Sequence, residues 1–348
     1  NKRRGNHVIV SSVEHSSVKE PFNFLEEQGF RVTYLPVDAQ GRVSIDALRE
    51  ALDSETILVS VMYANNEIGT VEPIEEIGQI VKQFNPEIVY HVDAIQAYGK
   101  FKIVPKKLNI DLLSVSGHKI HGPKGIGFLY VGDRVKIRPI VFGGGQERGL
   151  RSGTEATAQI AAFAAAVRAG AATREADVRH MAELKAETLA RLQEAVPGLK
   201  PIGSGTAPHI LAVTLPGYKS EVIVRFLSDR GICLSSGSAC HKGKPSHVYA
   251  ALKLPKSDLD GALRVSFSYD TTQQDVDALA DGLRAAKEGA DARADDPLVG
   301  PQGLGAAGTK AASMEKVAEL SPAARRDRAE MTQDATAPLD PVRFADLM

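Results

Sequence analysis

Lys119 ends a short polar string, SVSGHK, at the end of the predicted strand Leu112–Val115. In open α/β sheets, ligands bind beyond the carboxyl ends of the strands. A lysine that is partly shielded from water there has a lowered pKa, so its neutral amine can form a Schiff base with a carbonyl compound. A single lysine in a loop is more often a plain surface residue, so this interpretation depends on what accompanies it.

Three other predicted strands also end in residues that could do chemistry. Asp93 follows a buried-type strand, where a carboxylate is costly unless it meets a cation such as a protonated pyridine nitrogen. Asn65 and Asn66 could orient a ligand, and His15 could stack on a ring or move protons. Taken singly, these residues could be a helix cap, a turn and a structural histidine. Together with Lys119, they predict one site at a single edge of a sheet.

The two cysteines of the chain form neither a disulfide framework nor a zinc-binding pattern. Cys240 lies in a loop rich in glycine and serine, SSGSACHKGK, where His241, Lys242 and Lys244 favour the reactive thiolate. Cys233 lies among apolar residues in Gly-Ile-Cys-Leu, which predicts a small buried side chain. Cys240 is therefore the candidate nucleophile.

A glycine-rich segment, GGGQERGLRSGT, ends at Thr154, where a long helix is predicted to begin. Backbone amides and a hydroxyl group at the start of a helix suit a phosphate. A flexible interdomain hinge explains the same residues equally well. A second segment, GPKGIG at 122–127, lacks the ending of a nucleotide-binding P-loop.

The order of the predicted elements indicates an α/β fold with two domains. Residues 1–170 alternate strands with helices, which predicts a mostly parallel sheet with helices on both faces. An alanine-rich helix from about Glu155 to Val196, expected to break near Gly170, leads into a smaller α+β domain at 171–290. Residues 291–348 are rich in Pro, Gly, Ala and charge, which predicts a largely disordered tail.

A set of motifs spans the chain from about residue 7 to 288. Together they resemble the cysteine desulfurases, in the class V aminotransferase group of fold-type I enzymes that use pyridoxal 5'-phosphate (PLP). The resemblance implies a PLP-binding large domain at 1–170 and a small domain with the catalytic cysteine loop at 171–290. The motifs are VEHSSV, ANNEIGT, HVDAIQ, SVSGHKIHGPKGIG, GGGQERGLRSGT, SSGSAC and ALRVSFS.

The resemblance also implies a role for individual residues. Lys119 would bind PLP as a Schiff base and, once freed by the substrate, remove its Cα proton. Cys240 would accept the sulfur. The other implied roles are pairing with the pyridine nitrogen (Asp93), stacking on the ring and assisting proton transfers (His15), hydrogen bonding to the ring oxygen (Gln96), placing the substrate (Asn66), holding the phosphate (Ser116, His118 and, across a homodimer, Thr154) and binding the substrate carboxylate (Arg264).

The implied reaction converts L-cysteine to L-alanine and leaves the sulfur as a persulfide on Cys240. The sulfur acceptor could be an iron–sulfur scaffold protein or a tRNA-thiolation enzyme. Two alternatives remain: a related PLP enzyme, such as a selenocysteine lyase or a class V aminotransferase, and an inactive binding or dimerisation module. Cys240 within SSGSAC argues against a plain aminotransferase, which needs no thiol.

Composition limits the partners and the compartment. A formal net charge of −1 offers no uniform field for nucleic acid, and no apolar run is long enough to span a bilayer. Two cysteines are typical of a reducing compartment, so the cytoplasm is expected. Family members carry an N-terminal arm and a TSGGTE-like phosphate-binding turn before the first strand found here. We therefore expect the natural N-terminus to lie upstream of Asn1 and this chain alone to bind PLP weakly.

Overall fold

The computed structural model describes residues 4–237 and 246–294, with the backbone alone for 290–294. The chain forms two units, Asn1–Gly289 and Ala290–Met348. The elements below lie in the first unit, apart from the end of the last helix. Cys240 and the tail beyond residue 294 lie outside the described residues, so the disordered tail stays a prediction.

Ten strands and eight α-helices are found in the described part of the chain. The strands are β1 (His7–Ser11), β2 (Arg31–Leu35), β3 (Thr56–Ser60), β4 (Val89–Asp93), β5 (Leu112–Ser116), β6 (Gly127–Val131), β7 (Lys200–Pro201), β8 (Ile210–Thr214), β9 (Ser235–Ser236) and β10 (Ala262–Ser266). The helices are α1 (Ser16–Glu27), α2 (Ile45–Ala51), α3 (Ile74–Phe84), α4 (Thr157–Ala195), α5 (Ser220–Ser228), α6 (His247–Ala251), α7 (Lys256–Asp260) and α8 (Gln273–Ala294).

The main sheet has six strands in the order β2-β1-β3-β4-β5-β6. Every neighbouring pair is parallel except β5 and β6, which run antiparallel with Ser116 opposite Gly127. The predicted mostly parallel α/β sheet is therefore confirmed. Strand β6 was not predicted, because its run Phe128–Val131 follows a glycine-rich loop and shows no alternation of apolar and polar residues.

Helix α3 illustrates how sequence periodicity builds the main core. Ile74, Ile77 and Val81 recur at helical spacing, and all three are buried in the core of the main sheet. Glu75 and Glu76 occupy the first turn, where the helix dipole favours acidic side chains. Strand residues of the same core include Ile9, Val59, Tyr90 and Leu113.

A second sheet has four strands in the order β7-β8-β10-β9, and all its pairs are antiparallel. All five residues of β8 are buried. A separate apolar core contains Leu192 of α4, Leu227 of α5, Val265 of β10 and Leu283 of α8. This antiparallel sheet agrees with the smaller α+β part of the predicted fold.

The expected break near Gly170 is wrong, because α4 continues for 39 residues from Thr157 to Ala195. A glycine inside a helix costs only about 1 kcal/mol relative to alanine. Ala169, Ala171 and Ala172 favour the helix on both sides of the glycine. Apart from its own helix, no described residue has an atom within 4 Å of the place that a Cβ of Gly170 would occupy, so no close neighbour forces a kink there.

Candidate active site at the carboxyl edge of the main sheet

Four of the predicted site residues lie at or just after the carboxyl ends of four adjacent parallel strands. The loops after β1, β3 and β5 carry His15, Asn66 and Lys119, and Asp93 is the last residue of β4. Because these strands are parallel neighbours, their carboxyl ends lie along one edge of the sheet. The structure therefore brings these loops together in the way that the sequence predicted.

Asp93 is a buried carboxyl group, with an exposed fraction of only 3%. Its Oδ1 accepts a hydrogen bond from the main-chain N–H of Ile95 at 2.9 Å. Burial raises the pKa of Asp93, and the nearby His15 acts in the opposite direction. A carboxyl group in this setting is stabilised as an anion by any further cation that binds beside it.

His15 combines a structural and an accessible position. It caps α1, since its Nδ1 accepts a hydrogen bond from the main-chain N–H of Ser17 at 3.1 Å. The residue as a whole is exposed. It counteracts the effect of burial on the pKa of Asp93, and both residues lie at the same edge of the main sheet. His15 can thus border a ligand that binds at Asp93.

Lys119 lies in a short 3-10 turn, Gly117–Ile120, directly after β5. The Nζ atom of Lys100 donates a hydrogen bond to the main-chain oxygen of Lys119 at 3.1 Å and so supports this turn. Partial burial lowers the pKa of Lys119, and the positive charge of Arg264 lowers it further. The pKa of Lys100 falls to about 8, through burial and the charge of Lys119. A larger share of neutral amine makes Lys119 a better nucleophile and base.

Ser116 directly precedes the same turn, and His118 lies within it. The Ser116 hydroxyl and His118 Nδ1 are hydrogen-bonded at 2.7 Å, and His118 is exposed. Burial, Lys119 and Lys124 lower the pKa of His118. Whichever of the two groups donates in this bond, the pair keeps one O–H or N–H group that can donate to a phosphate.

Thr154 is placed differently from the other predicted residues. It is exposed in the loop before α4. Among the described residues, no hydrogen bond or ion pair joins it to the rest of the predicted site. Its role across a subunit interface stays a prediction.

Arg264 of β10 reaches the Asn66 loop. Its two terminal nitrogens donate hydrogen bonds to the main-chain oxygen of Asn66 at 2.8 Å and to the Ser235 hydroxyl at 3.0 Å. Within the described residues, Arg264 Nε and Asn66 Oδ1 are buried without a hydrogen-bond partner. An unpaired buried polar group costs about 1–3 kcal/mol. These two atoms are therefore suited to a polar ligand such as the carboxylate and ammonium groups of an amino acid.

Gln96 meets a residue that the sequence analysis missed. His209 Nε2 lies 3.0 Å from Gln96 Oε1, and the two residues are only 6% and 9% exposed. Burial lowers the pKa of His209 to about 2, assisted by four nearby cations. The only sequence signal was a histidine just before a strand, which is too common to select. The four cations are Lys100, Lys185, Lys119 and Arg264.

A close backbone approach brings His209 to the main sheet. The main-chain N–H of Ala207 donates to the main-chain oxygen of Gly69 at 2.7 Å, and Phe267 N donates to His209 O at 3.0 Å. Gly69 has a φ of +68°, and a Cβ there would lie 2.8 Å from the main-chain oxygen of Ile210. Only glycine fits both the left-handed backbone and this contact.

The structure describes Cys233 but not Cys240. Cys240 lies in 238–245, outside the described residues, so its position stays a prediction. The prediction that Cys233 is buried is wrong, because this residue is exposed. Its neighbours Ile232 and Leu234 pack against the core of the second sheet. Since side chains alternate in an extended segment, Cys233 points away from that core.

The first residues described after the segment 238–245 lie near the loops of the site. His247 Nε2 lies 2.7 Å from the main-chain oxygen of Glu14, next to His15. Burial raises the pKa of Glu67, which follows Asn66 in sequence, and Ser246 acts in the opposite direction. The loop that carries His15 thus holds His247, two residues after position 245.

The described residues fit PLP. Asp93 offers a carboxylate for a ring cation and Lys119 an amine for the aldehyde carbon. The hydrogen-bonded pair Ser116 and His118 offers a donor for a phosphate. The buried, unpaired nitrogen of Arg264 suits the carboxylate of an amino-acid substrate. No described helix is long and apolar enough to cross a membrane.

Comparisons with known proteins agree with this chemistry. The sequence model of the Aminotransferase class-V family matches residues 1–279. The chain is 41% identical over 289 residues to the cysteine desulfurase IscS of Clostridium botulinum, covering 81% of this chain and 72% of that protein. It is 43% identical over 281 residues to the IscS of Methanosarcina thermophila, covering 80% and 69%.

Solved structures of NifS-like proteins share the fold of this chain. A NifS-like protein superposes with a TM-score of 0.77 at 35% identity, covering 82% of this chain and 76% of that one. A NifS-like protein from Rickettsia africae ESF-5 superposes with a TM-score of 0.74 at 27% identity, covering 81% and 76%.

Proposed function

The chain belongs to the cysteine desulfurases of the class-V aminotransferase family, and we propose that Lys119, Asp93 and Arg264 form its PLP and substrate site with Cys240 as the sulfur acceptor. The observation that carries this assignment is the convergence of four strand-end loops on one sheet edge that Arg264 reaches from the second sheet. Enzymes of this family depend on PLP, and their substrate is L-cysteine.

The proposed reaction balances without an external oxidant or reductant. L-Cysteine and the Cys240 thiol give L-alanine and a Cys240 persulfide. The Cβ–S bond of the substrate breaks, an S–S bond forms at Cys240, and Cβ gains a hydrogen. The carbon is reduced while the transferred sulfur is oxidised. When bound, PLP supplies an electron sink for the negative charge that develops at Cα.

Residues of this chain would bind the substrate and carry out the proton transfers. Arg264 would bind the substrate carboxylate, and Asn66 Oδ1 would accept a hydrogen bond from the substrate. Lys119, whose pKa is lowered, would remove the Cα proton. Asp93 would keep the ring nitrogen protonated, and His15 would cover the ring and assist proton transfers.

Partners and organisation form part of the same proposal. The enzyme would act as a homodimer, with Thr154 serving the phosphate of the partner subunit. It would work in a reducing compartment such as the cytoplasm and pass its sulfur to an iron–sulfur scaffold or a tRNA-thiolation enzyme. Residues 1–170 would form the PLP-binding domain and 171–290 the domain with the cysteine loop.

The direct test follows product formation from L-cysteine with excess PLP and a thiol reductant. Alanine and sulfide should appear in equal amounts, and Lys119→Ala should abolish both. Lys106→Ala is the matched control, since Lys106 is exposed and paired only with Asp133 among the described residues. Formation of pyruvate instead of alanine, or unchanged turnover in Lys119→Ala, would contradict the proposal.

A further inference from the structure

The contact between His209 and Gln96 joins the two sheets beside the proposed cofactor site. Gln96 follows β4 and Asp93, whereas His209 directly precedes β8 of the second sheet. Both side chains are buried, and 3.0 Å separates His209 Nε2 from Gln96 Oε1. The backbone of His209 is fixed as well, because its oxygen accepts from Phe267 N.

The chemistry of the two groups fixes which atom donates. An amide oxygen only accepts, so His209 Nε2 must carry the hydrogen. His209 Nδ1 is then an unprotonated acceptor, and it is buried without a partner among the described residues. The positive charges around His209 favour a lone pair over an N–H group at this position.

The reverse arrangement is less favourable. With the Gln96 amide flipped, its NH2 group would face His209, and the histidine hydrogen would move to Nδ1. That hydrogen would be a buried donor without an acceptor, pointing into a region of positive charge. The arrangement with the hydrogen on Nε2 also leaves Nδ1 unpaired among the described residues, but there a lone pair faces the positive charges. It directs the NH2 group of Gln96 away from His209.

We propose that His209 is a positioning residue, which holds the Gln96 amide in the one orientation that leaves its NH2 group free to donate to an anionic oxygen of bound PLP. The inference rests on the proposed PLP-dependent function. In the described part of the chain, no protein acceptor is bonded to the Gln96 amide nitrogen, so this group is available to a ligand.

A double-mutant cycle tests whether His209 acts through Gln96. His209→Ala, Gln96→Ala and the double variant are compared by pH titration of the absorbance of the covalent Lys119–PLP adduct. Without the amide donor, the ring oxygen holds more negative charge and stabilises a proton on the adduct nitrogen. Each single variant should therefore move the titration midpoint to higher pH by the same amount, and the double variant should move it no further.

The affinity for PLP gives an independent measurement. Loss of one hydrogen bond to a charged oxygen should raise the dissociation constant of PLP about tenfold in each single variant, and no more in the double variant. Additive effects in the double variant would overturn the proposal. Unchanged spectra and affinity in His209→Ala would do the same.

A conservative pair keeps the test decisive if His209→Ala folds poorly. His209→Gln places an amide donor near the position of Nε2, whereas His209→Asn places it near Nδ1. The Gln variant should titrate like the wild type and the Asn variant like Gln96→Ala. Equal behaviour of the two would refute the positioning role. A wild-type chain that forms no adduct at Lys119 would instead refute the proposed function.

Discussion

One oxygen of the Glu14 carboxyl group, Oε1, accepts a hydrogen bond from the main-chain N–H of Met62 at 2.6 Å. The same oxygen accepts from the Ser11 hydroxyl at 2.7 Å. The contact ties the loop that carries His15 to the strand end that leads to Asn66. Glu14 is completely buried, and its Oε2 has no partner among the described residues. Burial raises the pKa of Glu14 to about 8.

The raised pKa makes the stability of the enzyme depend on pH. Between the ordinary glutamate pKa of 4.5 and about 8, the folded chain holds a proton at Glu14 that the unfolded chain has lost. Stability is therefore fully present below the lower value and is lost as pH rises towards 8, by up to about 1.4 kcal/mol per pH unit. We expect Glu14→Gln to reduce this slope in urea unfolding between pH 5 and about 8.

Two further variants control this measurement. Burial likewise raises the pKa of Glu72 to about 8, so Glu72→Gln should remove a similar part of the slope. Glu50 is exposed on α2, and Glu50→Gln should keep the wild-type slope. Parallel curves for the wild type and Glu14→Gln would show that Glu14 is ionised in the folded chain.

Lys119, and not its neighbour Lys100, should form the covalent adduct with PLP. Both amines have a lowered pKa, but Lys100 is already bonded to the main-chain oxygen of Lys119. Borohydride reduction followed by peptide mapping should place the label on Lys119. Lys100→Ala should keep the adduct, and Lys119→Ala should lose it. A label on Lys100 or Lys124 would show that the wrong lysine was chosen.

Asp93→Asn should separate cofactor binding from catalysis. The amide oxygen of the new side chain can still accept from Ile95 N, so the local structure should survive. The negative charge that keeps the ring nitrogen protonated is lost. Alanine release should fall by about two to three orders of magnitude while bound PLP, measured by absorbance, is largely retained. Near-normal turnover would remove Asp93 from the proposed mechanism.

The sequence predicts positions at strand ends well, because the chain direction alone decides where the carboxyl ends of parallel strands lie. It predicts contacts between distant segments poorly. The contact of His209 with Gln96 involves a close approach of the second sheet, for which Gly69 leaves room. The apolar neighbours of Cys233 suggested burial, but alternation along an extended segment turned the thiol outward.

Helix ends show the same limit. Helix α1 contains Pro21 in its interior, although proline favours the first turn of a helix. In the structure it begins at Ser16, since His15 provides the cap. A histidine is not among the residues that usually cap helices, so the pattern gave no signal.

Cys240, and not Cys233, should carry the persulfide. Cys233 is exposed, so solvent exposure alone does not exclude it as the sulfur acceptor. The neighbouring charges distinguish the two cysteines, because the thiolate is the nucleophile and nearby cations favour it. Cys240 is followed by His241 and two lysines, whereas Cys233 has apolar neighbours. Cys240→Ser should therefore release neither alanine nor sulfide at a normal rate and still bind PLP at Lys119. Cys233→Ser, the matched control, should turn over normally.

Mass spectrometry after one turnover should locate the extra sulfur directly. Trypsin cleaves after Arg230 and Lys242, so one peptide, Gly231–Lys242, contains both cysteines. Its fragment ions separate them, because six residues lie between Cys233 and Cys240. We expect the additional sulfur only in fragments that include Cys240. Its presence in fragments that end before Ser238, or full alanine release by Cys240→Ser, would assign the sulfur acceptor to another group.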